Sequence, residues 1–289
     1  MSFKSLDEII NLSNTYEKAF WEIVLEDDLK ERQVSSSESL EKMRQLYHSM
    51  KKADKAYDEN LKSASGLVGG EGEKISRAQK EGKLISGSFT GEVMAKAIKM
   101  GESNACMKRI VAAPTAGSCG VIPAVFLTYE EQFQIPEQKM MEALYVASGI
   151  GEVIATRAFV SGAAGGCQAE IGSASAMTAG ALAYLRGGDG ECIAHAAAMA
   201  MKNLMGLVCD PVAGLVEVPC VKRNVIGAVN AISSADMAIA GIRSKIPPDE
   251  VIDAMRAVGE MMPACLRETG EGGLAGTPTG QELMLVIRG

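Results

Sequence analysis

Apolar positions recur at helical spacing through the first sixty residues. Leu6, Ile9, Ile10, Tyr16, Phe20, Ile23 and Val24 share one face, behind Ser5-Leu6-Asp7-Glu8, which has the form of a capping box. A second run starts at Ser35–Ser37 with Glu38. It carries Leu40, Met43, Tyr47, Met50, Tyr57 and Leu61 along one side. The pattern predicts two amphipathic surface helices within residues 1–62. Residues 63–91 change character: Gly66, Gly69, Gly70, Gly72, Gly82, Gly87 and Gly91 punctuate a long connection around a short central helix. Connections of this kind inside a domain are often functional or mobile.

From Glu92 the chain becomes apolar and rich in small residues. Helices are expected near 92–101, 120–132, 137–158, 167–186, 190–205, 220–244 and 248–262. Pro123 and Pro248 fall in first turns, where the missing N–H costs nothing. Gly206 follows a helix end, where a left-handed cap is expected. The run CQAEIGSASAMTAGALAYLR carries so much Gly, Ala and Ser that neighbouring backbones can approach closely. Glu268–Gly289 reads as a loop-rich tail. There is no internal repeat and no alternating, strand-like series. The pattern describes an all-α, compact multi-helix protein with small-residue-rich buried helices and functional loops. Residues 92–289 and the N-terminal helices form one domain in this reading.

Composition sharpens the picture. Of 289 residues, 47% are hydrophobic but only 4% aromatic, so Ala, Val, Ile, Leu and 17 Met must fill the core. That favours closely packed helices over an aromatic-rich sandwich. The formal net charge of −7 disfavours nucleic acid as a partner, because neutralising phosphates needs a basic surface. The N-terminus lacks a signal-peptide apolar run. The most apolar stretch, 193–218, contains His195, Lys202, Asp210 and Glu217, each charge costing about 2.5–3.5 kcal/mol at a bilayer centre. A soluble cytoplasmic protein with no membrane span is expected.

Seven cysteines in such a chain argue for free thiols, metal ligands or a nucleophile, and an odd count weakens a disulfide framework. The stretch GLVCDPVAGLVEVPC, Gly206–Cys220, sets Cys209 and Cys220 in a loop stiffened by glycine and proline. Cys220 opens a predicted helix, and so does Cys167 after Gly165-Gly166. A thiol at a helix start meets the positive end of the macrodipole and unpaired N–H groups, both of which favour thiolate. Cys167, Cys209 and Cys220 can thus form a three-thiolate socket for an iron–sulfur cluster or zinc; inert buried thiols fit the same pattern. Cys192 and Cys265 read as buried apolar residues within helices. Cys106 and Cys119 lack a matched helix-start context, except that Cys119 lies in the loop APTAGSCG.

That loop, Ala113–Gly120, leads into a helix. Thr115, Ala116, Gly117 and Ser118 can present N–H groups and hydroxyls to a carboxylate or phosphate; a tight helix–helix connection is the plainer alternative. It is not a P-loop, and Gly149-Ile150-Gly151 is not a dinucleotide fingerprint. Glu170, three residues after Cys167, and Asp210, directly after Cys209, are candidate proton carriers, caps or ion-pair partners. His48 reads as a solvated helix residue and His195 as a hydrogen-bonded one.

Three motifs, GGCQAEIGSASAM, GLVCDPVAGLVEVPC followed by VKRNVIGAVNAI, and APTAGSCGVIPAV, closely resemble the bacterial iron–sulfur-dependent L-serine dehydratases. The resemblance is to the alpha chain of the two-subunit form and runs from about Gly87 to Thr277. It implies an oxygen-sensitive [4Fe–4S] cluster on Cys167, Cys209 and Cys220, conversion of L-serine to pyruvate and ammonia, and no pyridoxal phosphate. Residues 92–289 then become the cluster-binding catalytic region. Single-chain members of the family carry a Ser-Ser-His-Thr segment that this chain lacks. The resemblance therefore implies a separate beta chain that supplies it with a regulatory domain, in a hetero-oligomer. Some members end in a cysteine that can occupy the open iron, whereas this chain ends ELMLVIRG. Two alternatives remain open: a related cluster lyase acting on L-cysteine or another β-substituted amino acid, and a non-enzymatic zinc–thiolate helical protein.

Overall fold

The computed structural model describes residues 3–288, and among them there are thirteen α-helices and no strand. At the N-terminus α1 (Leu6–Tyr16), α2 (Phe20–Arg32) and α3 (Ser36–Lys55) follow one another. The periodicity predicted two helices here. The first run breaks because Glu17 turns left-handed, at φ 52°, and closes α1. Ser5 accepts from the Glu8 N–H, but the Glu8 carboxylate reaches the Lys4 N–H, so that box closes one residue early. At Ser35 and Glu38 both arms of the box form. These helices do not merely ride on the surface. Leu6, Ile9, Tyr47 and Met50 are essentially fully buried and belong to the same apolar core as the central helices.

The glycine-rich connection holds α4 (Glu71–Lys80), as expected. The helix predicted from 92 starts earlier: α5 spans Gly87–Ala105, and its Phe89 packs on Tyr129 and Phe133. Then come α6 (Val121–Phe133), α7 (Glu137–Arg157) and the single turn α8 (Gly162–Gly165). The run predicted as one helix over 167–186 divides into a π-helical turn, Gln168–Gly172, and α9, Ser173–Leu185. The chain continues through α10 (Gly190–Asn203), α11 (Cys220–Ile239) and α12 (Pro248–Met261). The tail is not all loop. Thr277 accepts the Gly280 N–H and Pro278 takes the first helical position, so α13 spans Pro278–Arg288. No helix is long and apolar enough to cross a membrane among the described residues.

Helix α9 is the axis of the packing. Every residue from Ser173 to Ala183 is buried, against α6, α7, α10 and α11. Small residues set the spacing. A Cβ on Gly180 would lie 2.3 Å from Ile150 Cδ1, and one on Gly227 of α11 would lie 2.8 Å from Ile171 Cγ2. Asn230 ties three helices at once, donating to Ser175 Oγ of α9 at 2.9 Å and to the Ala200 carbonyl of α10 at 2.8 Å. A core of this kind is filled by contact rather than by bulk, so the helix ends are held in fixed positions.

His195 of α10 is a hydrogen-bonded helix residue: its Nδ1 accepts from the Ser244 N–H at 3.2 Å. Burial pushes its pKa below the ordinary 6.5; Glu191 opposes that, while Arg243 and Lys202 add to it. The folded chain therefore holds the neutral ring where the unfolded chain would already be protonated. That stabilisation is complete above the unfolded value and is lost as pH falls through the lower, folded one. Urea midpoints should consequently fall between about pH 7 and pH 5, and His195→Gln should flatten that fall.

Candidate metal centre

Four segments without regular secondary structure meet at the ends of this bundle. The first is the turn into Cys167. The Gln168 N–H donates to the Leu207 carbonyl at 2.9 Å. Its side chain donates to the Met255 carbonyl and accepts from the Gly206 N–H. The segment before Cys209 is thus stitched to the one that carries Cys167. The second segment, Leu207–Pro219, is pinned at Cys209, whose N–H donates to Leu266 O and whose carbonyl accepts from Glu268 N, both at 2.8 Å. Farther along, the Val212 N–H donates to Val218 O, and the Glu217 carboxylate accepts from the Ser63 and Ser65 hydroxyls. The third segment, the tail loop, packs on Asp210. Asp210 Oδ2 accepts from the Leu274 N–H, and a Cβ on Gly273, at φ +59°, would lie 2.4 Å from that oxygen. Only glycine fits there.

The fourth segment is the APTAGSCG loop, and Asn224 holds it. Fully buried on α11, Asn224 accepts from the Gly120 N–H at 2.8 Å and donates to the Gly117 carbonyl at 2.9 Å and the Cys220 carbonyl at 3.0 Å. One side chain thus joins the C-terminal half of the loop to the first turn of the helix that Cys220 opens.

These constraints bring together residues that lie far apart in the chain. One donor atom each of Cys167, Glu170 and Cys209 lie within 4.8 Å of one another. All three predicted cysteines are buried, and Cys220 is near enough that charge on Cys167 or Glu170 acts on its thiol. Cys167 is held below the usual thiol range, first by a hydrogen bond from Cys209 and then by the Arg223 guanidinium beside it, against burial. Cys209 is pushed up, because it supplies the proton of that bond and is itself buried. The helix-start argument expected Cys220 to be lowered as well. It is raised instead: burial, with Cys167 and Glu170 close by, outweighs the help of its backbone N–H.

The Glu170 carboxyl sits beside the sulfurs and takes hydrogen bonds from the Thr115 side chain and the Gly162 N–H. Glycine makes the room: a Cβ on Gly117 or Gly162 would lie 3.0 or 2.9 Å from Glu170 Oε2. Burial raises the Glu170 pKa, and nearby Glu268 adds to that. In the loop, Thr115 and Ser118 face one another at 3.2 Å, Gly117 and Ser118 are buried, and Ala116 is exposed. Asp210 is committed elsewhere, since its Oδ1 lies 2.8 Å from Arg223 Nη2. That geometry makes it an ion-pair partner.

The remaining cysteines stand apart from this group. Cys119 points at the Met100 carbonyl, and burial pushes its thiol up to about 12. Cys192 is buried in α10 as expected, whereas Cys265 is exposed in a short 3₁₀ turn because the chain leaves the core after Pro263. Sequence reasoning overlooked Arg223 and Asn224. Their signal was positional: they lie three and four residues after Cys220, on the same helical face.

Residues 15–275 match the family described as serine dehydratase alpha chain, and the chain belongs to that family, whose members are carbon–nitrogen lyases. It is 44% identical to the probable L-serine dehydratase, alpha chain, of Bacillus subtilis, over 99% of this chain and 96% of that one. It is 42% identical to the L-serine dehydratase, alpha chain, of Peptoniphilus asaccharolyticus, over 96% and 95%. It also matches L-serine dehydratase 2 of Escherichia coli, 44% identical over 62% of this chain but only 40% of that longer protein.

The Asn224 contacts make a direct prediction. Asn224→Ala should destabilise the chain by about 1–3 kcal/mol by orphaning the buried Gly120 N–H. Denaturant midpoints measure this, and amide exchange at Gly120 should accelerate with them.

Proposed function

We propose that the chain is the alpha chain of an iron–sulfur L-serine dehydratase, which converts L-serine to pyruvate and ammonia. The observation that carries this reading is the meeting of Cys167, Cys209 and Glu170 in a buried site, with the buried Cys220 close enough to feel charge on Cys167 and Glu170, and with Thr115 beside the Glu170 carboxyl. The donor set fits a [4Fe–4S] cluster. Soft thiolates are the ligands iron–sulfur clusters take, and three of them leave one iron without a protein ligand. When bound, the cluster supplies Lewis-acid chemistry at that iron, polarising the substrate hydroxyl so that it can leave.

The chain's own residues supply the rest. Cys167, Cys209 and Cys220 hold the cluster. Thr115, Ala116, Gly117 and Ser118 receive the substrate carboxylate at the positive end of α6. Glu170, whose buried carboxyl binds a proton more tightly than an exposed one, is the group of this chain placed to hold a proton during the elimination. Asp210 is the weaker candidate, because Arg223 and the Leu274 N–H engage its oxygens. L-serine loses its Cα proton and its β-hydroxyl as water. The resulting 2-aminoacrylate tautomerises to an imine, and water hydrolyses the imine to pyruvate and ammonia.

The partner in this reading is a beta chain carrying the Ser-Ser-His-Thr segment and the regulatory domain, in a cytoplasmic hetero-oligomer. The alpha-chain relatives and the longer Escherichia coli protein, of which this chain covers 40%, support that division. A zinc–thiolate site is the second reading, because donor atoms within 4.8 Å of one another also suit a single ion. Anaerobic analysis finding zinc without iron or sulfide would favour it. A cysteine-acting lyase is separated by competition kinetics between L-serine and L-cysteine.

Cys209→Ala should abolish the broad visible absorbance of the anaerobically reconstituted chain together with pyruvate formation in the presence of the beta chain. Full turnover in a cluster-free variant would sink the Lewis-acid role.

A further inference from the structure

Arg223 lies one helical turn into α11, on the same face as Cys220, and its side chain is 14% exposed. Three interactions converge on its guanidinium. Nη1 donates to the Val208 carbonyl at 2.7 Å, Nη2 lies 2.8 Å from Asp210 Oδ1, and the group donates to the Cys167 sulfur. Val208 and Asp210 are the two neighbours of Cys209. One side chain therefore touches all three thiol-bearing segments: it stands on the helix that Cys220 opens, grips Cys209 from both sides and bonds the sulfur of Cys167.

Arg223 does more than pair with one carboxylate. A single carboxylate would neutralise it, yet its fork is divided among a carbonyl, a carboxylate and a sulfur. The planar guanidinium can hold donors to several acceptors in fixed directions, which a lysine ammonium cannot do at the same reach.

We propose that Arg223 is the positioning residue of the thiol site: it fixes the Cys209 segment against the Cys220 helix and aims an N–H at the Cys167 sulfur. The proposal rests on the cluster reading for its consequence, since a donor to a cluster thiolate raises the reduction potential of the bound group. The register of the thiols themselves is a property of the polypeptide.

The test uses the full chain as wild type, Arg223→Met and Arg223→Lys. In the metal-free protein, native-state alkylation is followed cysteine by cysteine by mass spectrometry. Arg223→Met should label Cys209 about tenfold faster or more, with Cys192, buried in α10, unchanged, because a buried charge-assisted bond is lost locally. Arg223→Lys should fall between the two. Asp210→Asn, which breaks the clamp from its other end, should reproduce the selective rise at Cys209 and keeps the question answerable if Arg223→Met does not fold. Unchanged labelling of Cys209, or an equal rise at Cys192 and Cys209, overturns the proposal, since the first means no clamp and the second only global destabilisation. After anaerobic loading with iron and sulfide, the Met variant should also show a more negative midpoint potential and faster iron loss to a chelator. Wild-type protein that takes up no iron and sulfide would end the cluster reading, and the labelling would still decide the role of Arg223.

Discussion

The site depends on one constraint: ionisable sulfur and oxygen atoms must be held close together away from water. Thiols and a carboxyl at such distances raise one another's cost of ionisation, and burial raises it further. The chain offsets this with one cation and with hydrogen bonds. Arg223 stands beside Cys167, Cys209 shares its proton with that sulfur, and Thr115 with the Gly162 N–H solvates Glu170. Removing any one of these supports leaves a buried polar group without compensation.

That arrangement needs backbone to hold it, and loops alone do not supply enough. The four segments around the sulfurs carry few regular hydrogen bonds, so each is anchored through a side chain or a single backbone N–H, three of them to a helix and the tail to the Asp210 carboxylate of the Cys209 loop. Gln168 anchors the Cys167 turn, Asn224 the APTAGSCG loop, Arg223 the Cys209 loop, and the Leu274 N–H the tail. The helices behind them, α9 and α11 above all, pack through Gly, Ala and Ser. Their starts therefore cannot slide by an ångström without meeting Ile150 or Ile171. Close helix packing and thiol placement are thus one design problem, and the small-residue composition answers both halves.

The same geometry sorts the two acidic candidates. Glu170 lies beside the sulfurs and Thr115, walled by Gly117 and Gly162, where burial raises its pKa. Asp210 neighbours Cys209 in sequence, but its carboxylate is taken up by Arg223 and the tail loop. Adjacency to Cys209 in the chain did not show which groups engage the Asp210 carboxylate, because successive side chains of an extended segment point to opposite sides.

The helical class, most helix positions and the glycine-pinned loops were legible along the chain, as was the helix-start context that singled out Cys167 and Cys220. These are local properties: periodicity, caps and breakers act over a few residues and can be read there. The reading missed the break between α1 and α2, split no helix at the π-turn, and left α13 as loop although Thr277-Pro278 marks its start. Tertiary structure alone decided that Cys167, Cys209 and Glu170 share one site, that Cys220 is raised where its helix start suggested lowering, and that Arg223 and Asn224 bind the segments together. Charge and burial act through space, over distances that chain order does not record, so only packing could set them.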